Sequence, residues 1–381
     1  MNHWNALIAV LAAVYAVFLT AERLRALRDR KRLKHVIYVN GTRGKSTVTR
    51  LIDAGLRAGG FSVVSKSTGT LPVLFHTDGS SEIIHRRGPA NIREQLMLLH
   101  LAAQENADVL VIECMALQRE LQRISAHRML LPDIGIITNA RIDHTDVMGE
   151  TREEILDTMM EMLPKDGRIF TAEEDLFPQI EKKAGSLHSR AVLTRGQDVD
   201  TDLDFPENVA LALAVCLSLG AEREAALSGM NGFVHDPFDM AVFKGNGFTL
   251  VNAMSTNDVT SAKIVYEKAA GNRGEELVIL INNRLDRPAR AREMVRLCEE
   301  LRPAQILLLG DQQAALKRLC EKRLPKTPVM RTANAEAVPF VWEQPTLMLA
   351  VGNIKNQGIR LYERAARELK QEKRGGTAHV S

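Results

Sequence analysis

The sequence predicts an α/β fold in two domains, each built on a mostly parallel sheet, preceded by one long N-terminal helix. Three observations predict it. Short β-rich apolar runs alternate with helix-length stretches from His35 almost to the C-terminus. The run Val109–Ile112 is continuously apolar, as strands buried on both faces of a parallel sheet are. Two of the runs end in polar residues, Glu113 and Asn139, which is how open α/β sheets build sites along one edge.

The N-terminal element comes first. Residues Ala6–Ala21 form an uncharged, mostly apolar run preceded by Trp4, and Glu22–Lys34 then carries Arg23, Arg25, Arg28, Arg30, Lys31, Arg32 and Lys34. The run is shorter than the roughly 20 residues of a usual membrane span, although Trp4 and snorkelling arginines extend it. Its positive charge follows the apolar run, the reverse of a signal peptide. The positive-inside rule therefore puts the N-terminus outside and the rest in the cytoplasm, so the expectation is a single-pass protein of the cell membrane. A buried or amphipathic helix of a soluble protein is the alternative. The basic stretch is expected to face lipid headgroups or, equally well, solvent.

At 381 residues the chain exceeds one typical core, so two domains are expected. Strand Val36–Val39 leads into a polar turn and a helix over Ser46–Ala58. A strand Phe61–Ser65, the turn Ser67–Thr70 and a helix from near Pro89 to about Asn106 come next. Strands Val109–Ile112 and Ile134–Thr138, a helix Arg152–Leu163, a strand Arg168–Thr171 and helices Pro206–Leu219 and Glu222–Met230 continue the alternation. Around Gly232–Phe238 the texture turns to Gly, Pro and Asp, which marks a boundary. Beyond it lie a hairpin (Met240–Lys244, Phe248–Val251), strands Leu277–Ile281, Gln305–Leu309 and Leu347–Val351, and helices Arg290–Leu301 and Gln312–Arg323, a smaller Rossmann-like sheet. The expected division is 1–34 membrane helix and basic segment, 35–236 larger domain, 237–370 smaller domain, and 371–381 a disordered tail.

Composition excludes several classes. A net charge of +3 and 4% aromatic residues, with no aromatic–basic interleaving, argue against a nucleic-acid partner. The four cysteines are scattered through apolar runs with no C-x-x-C pair, which fits buried free thiols rather than zinc or a disulfide framework.

The chemistry concentrates at strand ends. The turn Asn40-Gly41-Thr42-Arg43-Gly44-Lys45-Ser46-Thr47 between strand and helix reads as a cradle for phosphate. Its glycines let backbone N–H groups turn inward, Lys45 adds a point charge, and Ser46 offers a hydroxyl to Mg²⁺. Val39 stands where the strict eight-residue pattern has glycine, so this is the shorter form. Glu113 sits where a nucleotide enzyme keeps an acidic Mg²⁺ ligand, although an ion-paired capping carboxylate would look the same. Asn139–Asp146 packs Asp143, His144 and Asp146 into one turn, natural for a second metal near a triphosphate, or else a hydrogen-bonded turn. In the second half Asn257 or Asp258 is a plausible N-cap; Arg284, Asp286 and Arg287 could clamp a carboxylate or form a surface ion-pair cluster. Gly352-Asn353-Ile354 offers backbone amides after the last strand.

These pieces in this order resemble the Mur ligase superfamily, ATP-dependent amide ligases that include folylpolyglutamate synthase, over nearly all of His35 to Arg367. The resemblance implies that Gly41–Ser46 contacts the ATP phosphates, Glu113 binds Mg²⁺, His144 helps hold a second metal, Asn208 lies at the nucleotide base and Asn252 near the ribose. Within the superfamily the chain most resembles the capsule-type poly-γ-glutamate synthase branch (PgsB/CapB), through the N-terminal helix, Val251-Asn252 followed by Asn257-Asp258, Asn283-Arg284-x-Asp286-Arg287, and Gly352-Asn353-Ile354. That implies ATP and Mg²⁺ as cofactors, Lys45, Glu113, His144, Arg284 and Arg287 as the catalytic set, and glutamate and growing poly-γ-glutamate as substrates. It also implies membrane lipid and other membrane subunits of a capsule synthase complex as partners, with a homo-oligomer left open.

The resemblance has gaps. The peptidoglycan ligases have an N-terminal domain for a nucleotide sugar, and nothing here could house one. They carry a carbamylated lysine on the helix after Asp-His-x-Asp; here that helix has only Glu153, Glu154, Asp157 and Glu161, so one of these is expected to stand in for it. The family's Gly-Arg at the domain junction is Gly232-Phe233, which leaves the arginine's role unfilled or taken by Arg284 or Arg287. The implied reaction phosphorylates an acceptor carboxylate and couples it to glutamate's amine, with the second domain closing over the first to exclude water. Two alternatives are a ligase on a small acceptor such as folate and a P-loop ATPase that powers export without ligation.

Overall fold

The structure is a computed structural model that describes residues 3–371 except positions 70, 87, 89, 202, 204, 237, 239, 257–258, 271–273 and 286–287. Asn257, Asp258, Asp286, Arg287, Thr70, Pro89 and the tail beyond Gln371 therefore lie outside the described residues. The chain divides into two compact units between His235 and Asp236.

Helix α1 (His3–Arg32) is the first element. It is long and apolar enough to cross a membrane, by length and composition. Over its first two-thirds, Trp4, Leu7, Ile8, Leu11, Val14, Val17 and Phe18 are all exposed. The basic stretch is the same unbroken helix, and it does not simply face lipid or solvent: much of it is docked on the first unit. Arg30 donates from Nε to the Leu131 carbonyl at 2.8 Å and forms an ion pair with Asp133. Asp29 is buried against His100 at 2.9 Å, Arg32 reaches Asn106 at 3.1 Å, and Lys34 pairs with Asp108 at 2.8 Å. Buried Ala26 and Leu33 join the apolar core beside them.

Among the described residues, the first unit carries an eight-stranded sheet of β1 (His35–Asn40), β2 (Val63–Ser67), β3 (Val73–Phe75), β4 (Ser81–Ile83), β5 (Val109–Glu113), β6 (Ile134–Ile137), β7 (Arg168–Thr171) and β8 (Arg190–Leu193). The order is β4-β3-β2-β5-β1-β6-β7-β8, parallel except for the β2-β3-β4 edge. Strand side chains alternate between two apolar layers. Val36, Tyr38, Leu110 and Ile112 face one, and Ile37, Val39, Val109 and Val111 face the other. Both layers are apolar because helices cover both faces, which is why Val109–Ile112 reads as an unbroken apolar run. Helix α2 (Lys45–Ala58) covers the second layer with Val48, Leu51, Ile52 and Leu56. Its Arg50 is buried and ties the end of the unit down, donating to the carbonyls of Val234 at 3.0 Å and His235 at 2.7 Å.

Local readings moved where tertiary contacts outweighed pattern. β2 begins at Val63, two residues beyond the predicted start, because the Phe61 amide closes the preceding helix on Leu56 at 3.0 Å and Val63 pairs in register with Val109. The helix expected near Pro89 begins at Glu94. Strands β3 and β4, of three residues each, are too short to show a period. A six-residue π-helical turn, Ser125–Leu130, carries no sequence mark either.

The second unit has strands β9 (Ala241–Gly245), β10 (Phe248–Asn252), β11 (Glu276–Asn283), β12 (Gln305–Gly310), β13 (Val329–Arg331), β14 (Thr346–Gly352) and β15 (Lys370–Gln371) in the order β13-β12-β11-β14-β10-β9-β15. β13 through β10 run parallel, and β9 and β10 form the expected hairpin. Gln371, expected to open a disordered tail, instead pairs with Phe243 in β15. The four cysteines are free and buried.

Candidate active site

The turn after β1 has the geometry of an anion cradle. Asn40 holds it from both ends of its amide: Oδ1 accepts the Gly41 N–H at 2.8 Å, and Nδ2 donates to Gln122 at 2.7 Å. Gly41 has φ +138°, and a Cβ there would lie 1.9 Å from Thr138 Oγ1. Gly44 has φ +78°, and a Cβ there would lie 2.7 Å from Asn208 Oδ1. Backbone sign and close approach thus both require glycine at these two positions. Asn208, 164 residues along the chain from Gly44, is buried against the loop. Lys45 folds back over the turn, its Nζ donating to the Gly41 carbonyl at 2.6 Å and more distantly to that of Thr42 at 3.4 Å. Burial pushes its ammonium pKa down, and the nearby Glu113 carboxylate opposes that shift. Thr47 follows, half-buried in the first turn of α2.

Ser46 and Glu113 meet. The Ser46 hydroxyl donates to Glu113 Oε2 at 2.8 Å, and the Thr68 amide donates to the same oxygen. In an octahedral Mg²⁺ shell with bonds near 2.1 Å, neighbouring ligand oxygens lie about 3 Å apart. The two oxygens therefore already stand at the spacing that adjacent Mg²⁺ ligands need. Among the described residues, no group of three or more His, Cys, Asp and Glu side chains forms a fuller metal site. Phosphate oxygens and water would complete the shell, which is the usual habit of Mg²⁺.

The turn after β6 is docked on the cradle. Asn139 Oδ1 accepts from Thr42 Oγ1 at 2.7 Å and from the Arg43 amide at 3.1 Å, and Arg43 Nη1 pairs with Asp143 Oδ2 at 2.9 Å. Thr138 Oγ1 donates to the Arg43 carbonyl. The residues predicted from two separate motifs thus form one hydrogen-bonded assembly, and Thr138 and Gln122, unmarked in the sequence, help to hold it. His144 is half-buried in a left-handed backbone conformation at φ +51°, with Nε2 3.7 Å from Asp143 Oδ2. Of Glu153, Glu154, Asp157 and Glu161, which follow this turn, three have protein partners. Asp157 and Glu161 pair with Arg119 at 3.0 and 2.8 Å, and Glu154 caps its own helix with Thr151.

Lys66 escaped sequence reading altogether. It lies on β2 opposite Ile112 of β5, one residue before Glu113. Its side chain is 0% exposed, and its Nζ has no hydrogen-bond partner. The carboxylate paired with it, Glu94, stands 3.9 Å away and is already held in a two-pronged pair by Arg86 at 2.6 and 3.0 Å. Burial pushes the Lys66 pKa down to about 8, against the pull of Glu113 and Glu94.

In the second unit, Asn252 is buried at the end of β10, donating to the Phe238 carbonyl at 3.1 Å. Asn282, at the end of β11, donates to the carbonyls of Asn353 and, at 3.2 Å, of Lys355. Gly352 has φ +103°, and a Cβ there would lie 2.5 Å from the Asn282 carbonyl oxygen. Between the ends of β11 and β14, where the strand order reverses, a small cleft of about 10 Å³ is lined by Asn283, Arg284, Arg290, Met294 and Asn353. That is where open α/β sheets bind ligands. Arg284 faces this cleft, while its predicted companion Arg287 lies outside the described residues.

Fold and site together define an α/β protein with a glycine turn between strand and helix and a hydroxyl–carboxylate pair beside it. Residues 39–210 match the family model of the Mur ligase middle domain, and residues 238–368 match that of the poly-gamma-glutamate synthase CapB C-terminal domain. The chain is 29% identical over 311 residues to the capsule biosynthesis protein CapB of Bacillus anthracis, covering 77% of this chain and 67% of that one. It is 27% identical over 332 residues to the PGA synthase CapB of Bacillus subtilis (strain 168), covering 83% and 84%. Its fold is similar to that of the bifunctional folylpolyglutamate synthase/dihydrofolate synthase of Yersinia pestis, solved with AMPPNP and a Mn ion, at a TM-score of 0.64 and 17% identity over 94% of this chain and 98% of that one. The chain belongs to the Mur ligase superfamily and is an amino-acid ligase.

Two outcomes follow for the loop and for Lys66. Gly41→Ala drives a methyl into Thr138 and should abolish nucleotide binding, read by ADP titration calorimetry, while far-ultraviolet circular dichroism stays that of the parent. Lys66→Met should stabilise the first unit at pH 7 by about 3 kcal/mol, because a drop from 10.5 to about 8 is the cost of keeping the buried ammonium charged. The folded pKa lies below the unfolded one, so parent stability rises as pH goes from 8 to 10.5. The variant's advantage should be full below pH 8 and vanish toward pH 10.5, as followed by urea unfolding across that range.

Proposed function

We propose that this chain is an ATP- and Mg²⁺-dependent ligase that phosphorylates the terminal carboxylate of a glutamyl chain and joins it to the amine of glutamate, building poly-γ-glutamate. The observation that carries the reading is the Ser46–Glu113 pair beside the glycine turn in a Mur ligase middle domain, followed by a CapB-type C-terminal domain. The named CapB relatives support the polymer as product, and the nucleotide-bound fold relative supports ATP.

The acceptor carboxylate oxygen attacks the terminal phosphorus of ATP, and ADP leaves. The amine of glutamate attacks the resulting acyl carbon, the carbon–oxygen bond to phosphate breaks, and the amine gives up a proton. Backbone N–H groups of Gly41–Ser46 and the Lys45 ammonium hold the phosphates and neutralise charge as it develops. Ser46 and Glu113 would hold Mg²⁺, which supplies further charge neutralisation. His144, oriented by Asp143, would serve a second cation. Asn208 and Asn252 would contact the nucleoside, and Arg284 with Arg287 would fix a substrate carboxylate as a planar fork.

Helix α1 supports a single-pass protein of the cell membrane with both units in the cytoplasm, because its exposed apolar first part has no cover within the described chain. Such placement suits a polymer destined for export and implies further membrane subunits.

The test is ADP release by the full chain in membranes with ATP, Mg²⁺ and each amino acid in turn. Glutamate should raise release at least tenfold, Lys45→Ala should abolish it, and the product should run as an anionic ladder on a gel. Release independent of any amino acid would instead indicate a bare ATPase. A single short adduct would indicate a small acceptor of the folate kind.

A further inference from the structure

Lys66 is a buried cation whose Nζ has no hydrogen-bond partner. Its strand lies beside β5, and its Cα is paired with the residue before Glu113, so it belongs to the same sheet edge as the phosphate loop. Its surroundings offset the charge only in part, through Glu94 at 3.9 Å, and give Nζ no hydrogen bond. Glu94 spends both oxygens on Arg86, and Glu113 Oε2 already receives Ser46 and the Thr68 amide. An ammonium has three donors, and here all three are unused in a fully buried position. Leaving such a group unpaired is costly, and a methionine would fill the same space without that penalty. A buried charge held at such a cost beside a cleft-edge carboxylate is a candidate functional group.

We propose that Lys66 binds the acceptor carboxylate, holding the oxygen that takes the terminal phosphoryl group next to Ser46 and Glu113. The ligand must be an anion, because only an anion satisfies three ammonium donors and offsets the unpaired charge. It must be small at its reacting end, because Nζ is enclosed by the protein. A terminal carboxylate meets both conditions. The fork of Arg86 on Glu94 then has a purpose: it keeps the nearest protein carboxylate from taking the place of the substrate. On this account Lys66 leaves nucleotide binding to Lys45 and serves the acceptor alone. The assignment rests on the ligase reading above.

The experiment compares full-chain parent, Lys66→Met and Lys66→Arg in membranes, with a γ-linked glutamate oligomer as acceptor, glutamate as amine, and saturating ATP and Mg²⁺. In parallel, calorimetry on detergent-solubilised chain measures ADP binding, and oligomer binding in the presence of AMPPNP. Lys66→Met should lose at least 100-fold in kcat/KM for the oligomer and at least tenfold in oligomer binding, while ADP affinity stays within twofold and the melting temperature does not fall. Lys66→Arg should restore part of the oligomer binding. The proposal is overturned if Lys66→Met keeps half the parent kcat/KM. It is equally overturned if ADP affinity falls as far as oligomer affinity, which would give Lys66 to the nucleotide. A parent that releases no ADP on adding glutamate would sink the ligase reading itself, and that result is distinct from either of these.

Discussion

The bond between Ser46 and Glu113 is what the rest of the first unit depends on. Glu113 terminates β5, Ser46 opens α2 immediately after the turn from β1, and Thr68 follows β2, so one carboxylate oxygen fastens the ends of three neighbouring strands. That bond can exist only because β5 inserts between β1 and β2 in the sheet. Crossover connections that skip a neighbour are what place residues distant in sequence at one edge. The same bond fixes the first turn of α2, and with it the direction of the amides that face an incoming phosphate.

Neutral amides share the holding with Glu113 and the Arg43–Asp143 ion pair. Asn40 fixes the start of the glycine turn, Asn139 its middle, and Asn208 stands against its last glycine. The second unit repeats the device with Asn252, Asn282 and Asn283, each using its side-chain amide on a backbone carbonyl near a strand end. An asparagine satisfies both a donor and an acceptor without adding net charge.

Much of this was legible in the sequence, and the gaps have physical reasons. The strand–turn–helix at Val36–Ala58 was readable because glycine, lysine and serine have local roles that spacing reveals. Glu113 was readable because it breaks an apolar run. Lys66 was not, because a lysine in a short strand looks like an exposed residue until the helix bearing Glu94 covers it. Nothing local marks that Asp157 and Glu161 share Arg119, 38 residues before Asp157. The basic end of α1 looked like a headgroup-facing stretch, yet its partners Leu131 and Asp133 come from the segment just before β6. In each case the deciding contact spans tens of residues, which no local pattern records.

The central claim is that Ser46 and Glu113 hold a divalent cation against phosphates seated on the glycine turn. The most direct measurement is an anomalous-scattering map from crystals of the chain grown with Mn²⁺ and AMPPNP. The account predicts a single strong peak within bonding distance of both Ser46 Oγ and a Glu113 carboxylate oxygen, with the terminal phosphates beside Lys45. A peak bound elsewhere, with the Ser46–Glu113 hydrogen bond intact and the phosphates off the loop, would contradict it.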